Sequence, residues 1–120
     1  MNCKRGDIVV VKFPFILKER GEIQKGRPAL VMSDEKLERR YRDILLAAIK
    51  SHIPENSLEM ELILEPVEAT GLLKRSLLRL NFLMTIPEEL ISRKIGKLPE
   101  NLITEVERRL KRLFGINAIY

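Results

Sequence analysis

Cysteine, histidine and aspartate are all scarce in this chain, and each scarcity removes a class of chemistry. A single cysteine, Cys3, cannot form an internal disulfide, so a cytoplasmic protein is the simple expectation. With one histidine, one cysteine and few aspartates, no cluster is spaced to hold a metal, and neither metal nor cofactor is expected. Long apolar runs are also missing. Nothing approaches the roughly 18 residues of a membrane helix. The opening Met1-Asn2-Cys3-Lys4-Arg5-Gly6-Asp7 has no apolar core and no cleavage site, so no secretory leader is expected.

What remains suits one ordinary domain spanning 1–120. Hydrophobic residues make up 45% of the 120, enough for a real core. The net charge is +5, and its placement is informative. Residues 1–50 carry twelve Lys+Arg against seven Asp+Glu, whereas residues 51–120 carry ten of each. An anionic partner would meet the first half; the plainer alternative is a soluble basic protein without one.

The stretch Lys25-Gly26-Arg27-Pro28-Ala29-Leu30-Val31-Met32-Ser33 organises that half. Gly26 reads as a sharp approach and Pro28 as the first residue of a strand, since it has no N–H to give a ladder. Ala29 to Met32 read as a strand covered on both faces. Arg27 then sits where loose chain becomes rigid scaffold. Its planar guanidinium suits a phosphate; otherwise it pairs with a carboxylate at the sheet rim.

The other elements follow from pattern. Ile8–Phe13 is β-branched and aromatic and reads as a first strand ended by Pro14. The segment 16–26, with Lys18, Arg20 and Lys25, reads as a basic loop, either ligand-binding or merely solvated. Residues 34–41 read as a short helix with an acidic first turn and a basic last one. Asp43–Ile49 reads as a central third strand that ends in Lys50-Ser51-His52. Leu58, Met60, Leu62 and Leu64 alternate with glutamates as a fourth strand with one wet face. Ser76–Ile86 reads as a long fifth strand, with Leu78, Leu80, Phe82, Met84 and Ile86 on one face. Pro87–Leu90 reads as a helical turn and 93–98 as a short strand. Pro99 opens a helix whose stripe is Ile103, Val106, Leu110, Leu113 and Phe114, with a solvated basic face and a stop at Gly115. Short strands first and one helix last predict a mainly β fold with a C-terminal helix: a small, closed or nearly closed barrel.

Together these residues resemble a known family. Gly6-Asp7-Ile8-Val9 before Lys12-Phe13-Pro14-Phe15 looks like its opening, and Lys25-Gly26-Arg27-Pro28-Ala29-Leu30-Val31 with Ser33-Asp34 like its second strand. Leu46-Ala47-Ala48-Ile49-Lys50-Ser51 resembles its third strand. Thr70-Gly71-Leu72-Leu73-Lys74 with Ser76, Arg79-Leu80 and Thr85-Ile86 resembles its fifth, and Arg93-Lys94-Ile95-Gly96-Lys97-Leu98 with the final helix completes the series. The family is the MazF/PemK toxins of type II toxin–antitoxin systems, and the likeness runs from about Gly6 to Phe114. It implies a small SH3-like β-barrel (MazF/PemK/CcdB-like) that forms a homodimer. It also implies metal-independent cleavage of single-stranded mRNA at short specific sequences, and inhibition by a cognate acidic antitoxin.

Cleavage without metal can use the substrate's own 2′-OH. A base takes its proton, donors stabilise the charge gathering at phosphorus, and an acid protonates the leaving 5′ oxygen. A 2′,3′-cyclic phosphate and a 5′-OH result. Arg27 matches the family arginine at the scissile phosphate and is assigned charge stabilisation. Ser51 is the hydroxyl nearest a position where many members have Thr or Ser and this chain has Lys50; it serves only if the strand has ended or bulged. Arg79 matches the arginine of an Arg-x-Asp set whose third residue here is Asn81, which cannot be a base. Met84 stands where another branch has arginine. The candidate catalytic residues are therefore Arg27, Ser51 and Arg79. The candidate RNA contacts are Lys12, Lys18, Arg20, Lys25, Lys50, His52 and Asn81. His52, the one imidazole, is a candidate base or acid, or is simply solvated. Two other readings stay open: a barrel of the same fold that binds RNA or its antitoxin without cutting, and a DNA-binding barrel akin to the gyrase poisons.

Overall fold

The computed structural model describes residues 2–17 and 21–116. Six strands form one antiparallel sheet: β1 (Asp7–Leu17), β2 (Gly21–Val31), β3 (Asp43–Lys50), β4 (Glu61–Leu64), β5 (Ser76–Pro87) and β6 (Ile91–Lys97), in the spatial order β4-β5-β3-β2-β1-β6. A 3₁₀ turn (Glu88–Leu90) links β5 to β6, and one helix, α1 (Glu100–Leu113), ends the fold. Among the described residues no helix is long and apolar enough to cross a membrane.

The sheet is mainly β with a C-terminal helix, as expected, but it is open rather than closed. The edge strands β4 and β6 do not pair; the turn at 65–71 spans the gap instead. There the Lys97 N–H donates to the Ala69 carbonyl at 2.8 Å. Contact is so close that a Cβ on Gly96 would lie 2.4 Å from the carbonyl oxygens of Ala69 and Thr70. Thr70 is fully buried in this turn, and its hydroxyl is bonded to the carbonyls of Glu65 and Val67 at 2.9 and 3.0 Å.

Two apolar layers follow from the strand alternation. On the helix side, Ile8, Leu30, Ala47, Ile49, Leu62, Leu64, Leu78 and Leu80 pack beneath Val106, with Leu102, Ile103 and Leu110 of α1 partly buried over them. On the far side, Val9, Val11, Ala29, Val31, Ile44, Leu46, Ile86 and Ile91 pack with Cys3, Met84 and Leu90. Pro99 starts α1, and Gly115, at φ 70°, ends it. The N–H groups of Gly115 and Ile116 donate to the Arg112 and Lys111 carbonyls in a Schellman closure.

Several expectations need correcting. The described residues of segment 16–26 are strand rather than loop, with 18–20 lying outside them: the β1–β2 ladder continues to Leu17↔Gly21, straight through Pro14 opposite Gln24. β6 accompanies β1 only as far as Val11, so beyond it β1 is bordered on one side alone and an absent N–H can face the open side. Gly26 is likewise mid-strand, opposite Lys12; a Cβ there would sit 2.8 Å from Val10 Cγ1, so the need is for space rather than for a turn. Residues 34–41 form no helix. The Asp34 carboxylate accepts the Lys36 N–H at 2.9 Å in a local turn, and Leu37 and Tyr41 are exposed, which leaves no apolar face to dock. The fourth strand is shorter than its alternation: Leu58 is exposed, and pairing begins at Glu61. Arg109 does not belong to a solvated basic face. Its Nη1 donates to the carbonyls of Glu59 and Glu61 at 2.8 and 3.0 Å, pinning α1 to β4.

The fifth strand holds the largest departure. Ala47 pairs with Leu83 but Ala48 with Arg79, so β5 takes four steps where β3 takes one. Three extra residues, Leu80, Asn81 and Phe82, are accommodated in a bulge. Because three is odd, the faces exchange: Leu78 and Leu80 belong to the helix side, Met84 and Ile86 to the far side.

Candidate nucleic-acid interface

The central strands set the site. Ala29 and Val31 of β2 are buried between β1 and β3, so the chain just before them is held firmly. Arg27 lies opposite Val11 and on the same face as Ala29. The β2–β3 register pairs Ala29 with Ala48, and two more steps bring Arg27 across from Lys50. Both side chains are exposed. They line one hollow of about 390 Å³, with Pro28, Ala48, Ile49, Phe82 and Met84 as its apolar walls. Two cationic side chains lining one hollow suit an anionic ligand.

Arg79 stands opposite Ala48 on the same face, so a third cation borders this end of the sheet. Its guanidinium carbon lies 5.4 Å from the centre of the Phe82 ring, within cation–π range. Phe82 itself is 42% exposed, which is high for an aromatic side chain in a strand.

The structure thus brings Arg27, Lys50 and Arg79 to one end of one face, with Asn81 exposed in the neighbouring bulge. Other expected residues stand apart. Ser51 and His52 are exposed just beyond the end of β3 and do not line the hollow. Lys12 pairs with Gly26, one step from Arg27, and therefore projects from the opposite face. Lys18 and Arg20 lie outside the described residues; so does the side chain of Lys25, whose backbone pairs with Phe13. Phe82 and Pro28 were not anticipated as part of the site. An aromatic beside Asn81 was the available signal for Phe82, but unbroken alternation assigns that ring to the core.

A second hollow, about 290 Å³, lies among Cys3, Lys4, Ser33, Asp34, Glu35, Arg39 and Glu88 and shares no residue with the first. Burial, then the nearby Asp7 and Glu88 carboxylates, push the Cys3 thiol above its ordinary pKa. A raised thiol pKa is the opposite of what a reactive cysteine needs.

The fold and its hollow define a class: small antiparallel β domains with one terminal helix and a cation-rimmed depression at the end of the central strands. Within that class the chain belongs to the family of PemK-like, MazF-like toxins of type II toxin–antitoxin systems, whose family model matches residues 4–114. Among solved structures, the Mycobacterium tuberculosis toxin MazF-mt6 is similar, with a TM-score of 0.72 at 20% identity over 92% of this chain and 98% of that one. An endoribonuclease in complex with its cognate antitoxin from a mycobacterial species gives 0.73 at 11% identity, over 97% and 98%. The MazE-MazF structure from Deinococcus radiodurans (Form-II) gives 0.73 at 18%, over 96% and 97%. No curated protein matches the sequence significantly.

Proposed function

We propose that this protein is a metal-independent endoribonuclease toxin that cleaves single-stranded mRNA at short specific sequences in the cytoplasm and is held inactive by a cognate acidic antitoxin. The observation that carries this reading is the convergence of Arg27 and Lys50 on one hollow in a chain of this family. Arg27 contacts the scissile phosphate and stabilises the negative charge that develops there. Lys50 supplies a second, point-like charge where many relatives carry a hydroxyl. The 2′ oxygen bonds to phosphorus as the bond to the 5′ oxygen breaks. The 2′ proton goes to a base and the 5′ oxygen takes up a proton, leaving a 2′,3′-cyclic phosphate and a 5′-OH. The active form is a homodimer. The similar structures that contain an antitoxin support the partner assignment.

The test is incubation of the protein with a long single-stranded RNA in EDTA. New 5′-OH ends should appear, and Arg27→Ala should reduce their rate by about 100-fold or more, the usual loss on removing one donor to the transition state. An RNA left intact by the wild-type protein would overturn the reading. One observation favours a second reading, an RNA- or antitoxin-binding domain that does not cut. The walls of the hollow are apolar apart from Arg27 and Lys50, and neither a carboxylate nor an imidazole is among its described lining residues. RNA binding without new ends would support that second reading.

A further inference from the structure

We infer that Phe82 is a stacking platform for one unpaired nucleobase next to the phosphate held by Arg27 and Lys50. The inference rests on the RNA reading above but not on cleavage.

Four observations place the ring in that role. Phe82 lines the same hollow as Arg27 and Lys50, so a base on the ring and a phosphate on the cations can belong to one nucleotide step. The ring is 42% exposed, although Leu80, two residues earlier in the bulge, is fully buried. The bulge takes Phe82 out of the ladder between Arg79 and Leu83, so no residue of β3 pairs with it. Lastly, the Arg79 guanidinium carbon lies 5.4 Å from the ring centre, adding the arginine cation–π partner that single-strand sites use.

The physics selects the occupant. Every nucleobase has a π-face, and stacking on an aromatic side chain needs that face uncovered. In a duplex the faces are taken up by neighbouring bases. A phosphate site beside an aromatic plate therefore selects single strands, while an apolar wall of Pro28, Ala48 and Met84 accepts the edge of the base without dictating its hydrogen bonds.

The experiment is equilibrium binding of the full chain to a fluorescently labelled single-stranded RNA of mixed sequence, with 2′-O-methyl substitution throughout to remove the attacking 2′-OH, over a range of salt concentrations. Phe82→Ala should weaken binding by about 5- to 150-fold, as expected for loss of one stacked base. Phe82→Trp should restore it. Phe82→Ala should leave the slope of log K against log salt unchanged, whereas Lys50→Ala should reduce its size by about 0.7, one phosphate contact on a single strand. With 2-aminopurine in the strand, the wild-type protein should quench its fluorescence and Phe82→Ala should not. Wild-type affinity in a folded Phe82→Ala variant would overturn the inference and leave the nuclease reading standing, because cleavage is scored separately on the ribo-strand. Failure of the wild-type protein to bind RNA would overturn both.

Discussion

Replacing Thr70 by valine removes one hydroxyl from the turn that spans the open edge of the sheet, and its cost can be worked through group by group. Thr70 is 1% exposed. Its hydroxyl is bonded to the carbonyls of Glu65 and Val67 at 2.9 and 3.0 Å and accepts the Leu72 N–H at 3.4 Å. The two carbonyls keep other partners: Glu65 still receives the Val67 N–H, and Val67 those of Thr70 and Gly71. Leu72 is the group left behind, since its N–H is buried and that contact is long already. Losing the hydroxyl's own bond costs about 1 kcal/mol, and stranding a buried N–H about 1–3 kcal/mol. A methyl in place of the hydroxyl returns about 0.8 kcal/mol of apolar burial. The net expectation is a loss of roughly 1–3 kcal/mol. With a urea slope of about 1.5 kcal/mol per M, the midpoint should fall by about 0.7–2 M at fixed protein concentration. Thr70→Ser keeps the hydroxyl and should lie much closer to wild type. A valine variant within about 0.3 kcal/mol of wild type, or a serine variant as weak as the valine one, would refute the assignment of stability to these bonds.

Two further outcomes are expected. Gly96→Ala should destabilise by about 3 kcal/mol or more, because its Cβ would meet backbone oxygens at 2.4 Å and backbone cannot rotate away; a melting temperature within a degree of wild type would contradict that. Hydrogen bonds from Arg108 and then Arg109, at 2.6 and 2.7 Å, lower the Glu105 pKa from its ordinary 4.5 to about 2. A depressed carboxylate stabilises the fold above its unfolded pKa and loses that contribution as pH falls toward the folded value. The melting-temperature gap between wild type and Glu105→Gln should therefore be widest above about pH 5 and should close as pH approaches 2; a gap that does not change with pH would count against the pairing.

Parts of this molecule were legible in the sequence for identifiable reasons. The continuous apolar run from Ile44 to Ile49 is β3, but Arg27 and Pro28, read as the junction where the second strand begins, lie inside β2, opposite Val11 and Val10. Whatever depended on pairing was not legible. Lys12 and Arg27 both stand among the site candidates, but their opposite faces follow from a register that only the folded hairpin reveals. Residues 34–41 have the charge order of a capped helix and nothing apolar to rest it on. Phe82 continues the alternation of Leu78 and Leu80, so periodicity places it in the core. A change of phase inside a strand leaves no mark on a pattern of leucines, and the ring that turns outward is lost with it.

The interruption in β5 also separates what must stay constant from what can vary. Arg79 and Leu83 are locked to β3, and Leu80 is tied down by its N–H on the Met60 carbonyl at 2.8 Å. Only Asn81 and Phe82 lie between these anchors. That short span can lengthen or change its chemistry without shifting a single paired residue, so contact preference can drift while the cationic rim stays where the frame holds it.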